Sequence, residues 1–194
     1  MNGMMKSILA AAATSAALAA AMPAMAQNLP IEEVHAGYRE TGSAKDWVGI
    51  YRPTTENGAA EVCAIYSRPI ESAVFEKGEA VSRMRGELAA FINWNEETPG
   101  ASAGEVSFML GSPVIEGVNE DHRLDVDGKA SFALVGAGDR LYVQPEDDAA
   151  VIEAIRAGFG MKVTAALQDG AVARDSYSLM GVVASTQLSK DGCQ

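Results

Sequence analysis

Four glycine-containing turn signals punctuate this chain, each between runs of strand length. "DWVGIYRP" and "AEVCAIYSRP" flank Asn57-Gly58, and "HRLDVDGKASFALV" folds about Asp127-Gly128. "SFALV" and "RLYVQP" flank Gly136 to Asp139, while "MKVTAALQDGAVARDSY" turns at Asp169-Gly170. Asn-Gly or Asp-Gly between strand-like runs is a strong hairpin signal, because both central residues of a type I′ turn need positive φ. "ELAAFINWN" and "EVSFMLGSPV" read as two more strands joined by the loop 98–104. The expected fold is mainly β, a single-domain antiparallel β-sandwich or partly closed barrel with one or two short helices.

One stretch departs from the strand pattern. In "PEDDAAVIEAIRAGFG", Asp147 or Asp148 suits the start of a helix, Val151, Ile152 and Ile155 share a face, and Gly158 suits a left-handed exit. A helix is predicted over 147–157. The stretch 178–189 is ambiguous, since Leu179, Val183 and Gln187 mark a helical stripe while Val182 and Val183 favour a strand.

The first residues carry one basic side chain, Lys6, then an Ala- and Leu-rich run, then small residues ending at Ala26. That order predicts a secretory signal peptide over 1–26, cleaved after Ala26, and a periplasmic destination with no transmembrane anchor left in the product. Polar residues 27–45 then read as a flexible lead-in, and 46–194 as one β-rich domain. Without residues 1–26, 14 Lys and Arg stand against 26 Asp and Glu, a net charge of −12. Such acidity argues against nucleic acid as a partner, because phosphate contacts want clustered Lys and Arg. In an oxidising compartment the only two cysteines, Cys63 and Cys193, are expected to pair.

No convergent catalytic set is visible. "ARDSYSLMG" crowds Arg174, Asp175, Ser176, Tyr177 and Ser178 together, but a nucleophile needs a base and an oxyanion stabiliser that meet it in space. His35 lies in the lead-in, His122 is expected exposed at a strand start, and no G-x-S-x-G turn occurs. "LDVDGK" matches part of a calcium loop, yet Arg123 and Leu134 stand where that loop needs acids, so Asp125 and Asp127 read as a turn and its solvent face. Nothing singles out a glycosidase pair among the 26 acids. Cofactors and metals are therefore not expected. Trp47, Trp94, Tyr51, Tyr66, Tyr142 and Tyr177 offer a stacking surface or core and rim packing.

Taken in order, Trp47, "CAIYSRP" at 63–69, "EVSFMLGSPV" at 105–114, "DDAAVIEAIRAGFGMKV" at 147–163, "DSYSLMG" at 175–181 and a late cysteine resemble the invasion-associated locus B family of alphaproteobacteria. The resemblance runs from about Asp46 to Cys193. It implies a small β-rich envelope protein with no enzyme activity, cofactor or catalytic residue to carry over. It also marks Trp47, Asp175, Ser176, Tyr177, Ser178, Leu179 and Gly181 as signature positions, where Asp175, Ser176 or Ser178 is placed to cap or pin the step toward Cys193. The expected function is non-enzymatic binding of a partner protein or envelope component. The alternatives are a small-ligand binder with an aromatic-lined pocket and a hydrolase using carboxylates.

Overall fold

The hairpin at Asp127-Gly128 has the backbone that its residues demand. Both lie at positive φ, 54° and 66°, and Lys129 N–H donates to the Val126 carbonyl at 2.9 Å. This turn joins two of the twelve strands in a computed structural model that describes residues 37–53, 60–94 and 104–193. In chain order the elements begin with β1 (Arg39–Ala44), β2 (Trp47–Pro53), β3 (Ala60–Ser67), β4 (Glu71–Glu76) and β5 (Glu79–Val81). Next come β6 (Ala89–Trp94), β7 (Glu105–Met109), β8 (Gly117–Val126), β9 (Ala130–Ala137) and β10 (Arg140–Val143). Helix α1 (Asp148–Ala157) precedes β11 (Gly160–Ala166) and β12 (Val172–Ser178), and helix α2 (Val182–Gly192) ends the order.

All strands join one antiparallel sheet in the order β1-β2-β3-β6-β7-β10-β9-β8-β11-β12-β4-β5. The hairpins at Gly136 to Asp139 and Asp169-Gly170 pair as expected, as do β6 and β7. Asn57-Gly58 and residues 98–103 lie outside the described residues, but the strands flanking Asn57-Gly58 pair antiparallel. The sheet is mainly β in the expected sense, and it does not close into a barrel because β1 and β5 remain unpaired edges. It curls like a sandwich instead. One core draws Trp47, Ile65 and Ile92 from one half of the strand order and Leu124, Val163 and Tyr177 from the other.

Three sequence readings need correction, and one stretch left open is resolved. Residues 39–44, assigned to the lead-in, form β1, because an edge strand is held by backbone pairing to β2 and can have polar side chains. At α1, Asp147 makes no side-chain cap; Asp148 Oδ1 instead accepts from Val106 N–H on β7 at 3.2 Å. Gly158 is extended, φ −88° and ψ 172°, and its lack of a side chain serves close packing, since a Cβ would sit 2.8 Å from Val126 Cγ1. The 178–189 stretch contains a helix that starts only at Val182. Its buried face is Val182, Ser185 and Ser189, leaving Val183 and Gln187 exposed.

Helix α1 buries Val151 and Ile155, each contributing about 1.5–3 kcal/mol in transfer terms. Helix α2 lies over β1, β2 and β3, and the Cys63–Cys193 disulfide ties its end to β3 across 130 positions. In the chain-entropy model a loop of that length stabilises by roughly 5 kcal/mol, an upper figure. The double substitution Cys63→Ala, Cys193→Ala is expected to lower unfolding free energy in urea by about 2–5 kcal/mol and to raise the denaturant slope, as the unfolded chain loses its crosslink and expands. A loss below about 0.5 kcal/mol would show that hydrogen bonds of the buried Ser185 and Ser189 hydroxyls to β2 and β3 suffice to hold the helix.

Candidate functional site

The signature residues meet in space, in structural roles. Trp47 is fully buried, and its Nε1–H donates to the Ser178 carbonyl at 2.9 Å, joining β2 to the end of β12. Beside it, Asp46 N–H donates to the Met180 carbonyl at 3.2 Å. Gly181 sits at φ 99°, and a Cβ there would fall 1.9 Å from the Ala44 carbonyl oxygen, so only glycine lets this turn dock on the β1–β2 hairpin. Ser178 Oγ accepts from Met180 N–H at 3.2 Å, a local turn bond. Leu179 is buried in the core.

Asp175 is wholly buried and paired with Arg85, which the sequence reading did not single out. Arg85 bonds it in parallel, Nη1 to Oδ2 at 3.0 Å and Nη2 to Oδ1, and also donates to Ser72 Oγ at 2.6 Å and the Leu110 carbonyl at 3.2 Å. Burial pushes the Asp175 carboxyl above its usual value, against the pull of Arg85 and Ser72. Tyr177 packs on Phe108 with ring centroids 6.2 Å apart, and burial raises its phenol well above the ordinary range. Ser176 supplies its carbonyl to Ile70 N–H at 2.8 Å and pairs with Lys162. Of the three residues considered for pinning, Asp175 and Ser178 therefore hold the segment by side chain, while Ser176 acts through its backbone.

The other reactive candidates are equally committed. His122 is buried, contrary to the expected exposed position, and its Nε2 lies 3.2 Å from the Ala166 carbonyl. It is accommodated opposite Gly136, where a Cβ would stand 2.8 Å from His122 Cε1. Asp127 is not simply on a solvent face: its carboxylate accepts from Phe159 and Gly160 N–H at 2.9–3.2 Å, which lowers its pKa. Asp125 Oδ1 accepts from Gly128 N–H at 2.8 Å within the turn. Among the described residues, no group of three or more His, Cys, Asp or Glu is arranged to hold a metal ion. His35 lies outside the described residues.

What remains is a cleft that follows from strand order. Helix α2 packs on β1 to β3 and α1 on β7, so the two helices part over β6, which lies between β3 and β7. Ile92 and Trp94, two positions apart and so on one face of β6, form the floor of a cavity of about 530 Å³. Ala149, Ile152, Glu153 and Arg156 supply the α1 wall. Val182, Val183, Thr186 and Lys190 supply the α2 wall. Lys190 Nζ stands 5.8 Å from the Trp94 ring centroid, a cation–π distance. Of the aromatic residues considered for stacking, Trp94 alone lines this cleft; Trp47 and Tyr177 are core, and Tyr66 stacks on Phe91 in a separate cluster.

The spacings Ile152–Arg156 and Val182–Thr186–Lys190 are helical repeats visible in the sequence, though their convergence over β6 is not. No protein-family model, curated protein or solved structure matches this chain.

Two outcomes are expected at these groups. Asp175→Asn leaves Arg85 buried without its counter-charge and should cost about 3–5 kcal/mol in urea unfolding, whereas Arg85→Met with Asp175→Leu should recover most of that loss. Equal destabilisation by the single and double changes would contradict a pair whose cost lies in the orphaned charge. Asp148, whose carboxyl is raised to about 6 mainly by desolvation, with Glu105 and Asp147 adding to it, binds its proton more tightly folded than unfolded. Its stabilising contribution is thus full below the unfolded value near 4 and is lost as pH rises through 6. Raising the pH from 4 to 7 should lower Tm relative to Asp148→Asn, by no more than a few degrees because the site is partly exposed. A constant difference between the two melting profiles would refute the shift.

Proposed function

We propose that this chain is an exported, non-enzymatic binding protein that holds a small molecule in the cleft between α1 and α2. The cleft itself carries the reading. Its volume of about 530 Å³ falls within the usual span of ligand sites, roughly 300–1,000 Å³, and it combines an apolar floor with a few polar groups. The residues that looked reactive in the sequence support a non-enzymatic role, since Asp175, Ser178, His122 and Asp127 are all engaged in holding the fold. Within the cleft, Thr186 Oγ1 donates to the Val182 carbonyl at 2.8 Å and so is occupied as a helix-surface hydroxyl.

The disulfide suits an oxidising compartment, and no helix among the described residues is long and apolar enough to cross a membrane. A periplasmic setting, after removal of the predicted leader, and an envelope role like that of the invasion-associated locus B proteins belong to this proposal. A second reading, docking of a partner protein or envelope component, draws on the exposed apolar side chains Phe159, Met180 and Val183, at 78%, 54% and 52% exposure.

Thr186→Trp would fill the cleft from the α2 wall. Protein exported to the periplasm and examined by native mass spectrometry should carry a small molecule that this variant loses at unchanged Tm. A wild-type protein that is ligand-free, together with a crosslinked protein partner retained by the variant, would favour the second reading.

A further inference from the structure

Resting on the cleft as the binding site, we infer that its ligand is an organic anion with an elongated apolar body. The apolar part is specified by the floor and inner walls. Trp94, Ile152 and Val183 present aromatic and aliphatic surface to one continuous space, closed beneath by the buried Ile92 and Val182. From Val182 to Lys190 the α2 wall runs eight residues, roughly 12 Å of helix, which suits an extended medium-length chain better than a compact solute.

The charge is specified by what stands at the ends. Leu179 N–H donates to the Phe159 carbonyl at 3.0 Å, so the end of α1 lies beside the start of α2. Arg156, in the last turn of α1, therefore marks one end of the trough and Lys190, in the last turn of α2, the other. Both are exposed, and neither has an ion-pair partner among the described residues, although Asp and Glu outnumber Lys and Arg by 26 to 15 in the whole chain. The single acid in the lining, Glu153, forms no ion pair with either. Cations at helix C-termini also complement the helix dipole, but that effect does not require both to face the same apolar cavity.

Lys190 is the better placed of the two to hold an anionic head. Its ammonium lies over the Trp94 ring, and the disulfide at Cys193 and the buried hydroxyl of Ser189 fix its turn of helix. An anion there gains a charge-assisted hydrogen bond at the edge of an apolar surface, while its chain lies along Trp94, Val183 and Ile152 toward Arg156.

The test is calorimetric titration of the full disulfide-bonded protein, below the micelle threshold of each probe, with decanoate, decanol and decyltrimethylammonium. Decanoate should bind about tenfold tighter than decanol, the scale of one charge-assisted hydrogen bond, and weaken as salt is raised. Lys190→Gln should remove most of that advantage by weakening decanoate more than decanol, Lys190→Arg should restore it, and Arg156→Gln should reduce it less. Equal binding of decanoate and decanol, a preference for the cationic probe, or indifference to both substitutions would overturn the anionic specificity while leaving the cleft as a binding site. Failure of all three probes to bind would remove the small-molecule reading of the cleft, and this inference with it.

Discussion

Helix α2 is held to the sheet by hydroxyl groups that bond strand backbone, where most surface helices rely on a broad apolar face. Ser185 Oγ donates to the Trp47 carbonyl at 2.8 Å and accepts from Ala44 N–H at 3.1 Å. One turn later, Ser189 Oγ lies 3.0 Å from the Ala64 carbonyl and 3.3 Å from that of Ile50. Both serines are fully buried, so removing a hydroxyl would take a hydrogen bond from a seam that water does not reach. Small side chains also bring the helix close to the strands, and Gly49 faces this seam, 3.1 Å from Ser189 Cβ at the position a Cβ would take. With the disulfide at its end, α2 becomes a fixed wall.

The other wall and the floor depend on how the sheet curls. The Trp47 indole reaches from β2 to the carbonyl of Ser178 at the end of β12, while Arg85 reaches from the segment between β5 and β6 to Asp175 on β12. Both links connect parts that are distant in sequence, and both are formed by polar groups taken out of water. A buried bidentate ion pair adds little net stability over an apolar substitute, but breaking it on one side is expensive. It therefore discriminates against arrangements in which Arg85 and Asp175 fail to meet. The side chains of "ARDSYSLMG" are thereby occupied within the fold: its carboxylate is paired with Arg85, its tyrosine is packed in the core, and its serines serve a turn and the backbone pairing.

The cleft is then a consequence of coverage. Two short helices over a wide sheet part above one strand, and the side chains on that face of β6 are Ile92, which is buried, and Trp94, which is partly open. Apolar surface in such a trough favours an apolar occupant, whereas Arg156 and Lys190 bias its charge against the acidic background of the chain. Rigidity of the α2 wall would lower the ordering cost of binding, since neither the helix nor the Lys190 turn must be newly fixed.

Much of this architecture was legible in the chain itself. The turn dipeptides at 127–128 and 169–170, the helix over Val151 and Ile155, and the pairing of Cys63 with Cys193 all rest on local backbone preference, short-range periodicity or a count of two. Those signals do not depend on distant residues. Other features escaped for the converse reason. β1 carries no apolar alternation because its register comes from β2, His122 is buried because a glycine across the sheet makes room, and Arg85 reads as an ordinary loop cation until Asp175 is brought to it. Sequence alone thus determined the hairpin strands other than β1, β4 and β5, the first helix and the cysteine pair. Only the tertiary structure decided that α1 and α2 flank β6, because that juxtaposition is set by strand order and by hydrogen bonds between residues about 130 or more positions apart.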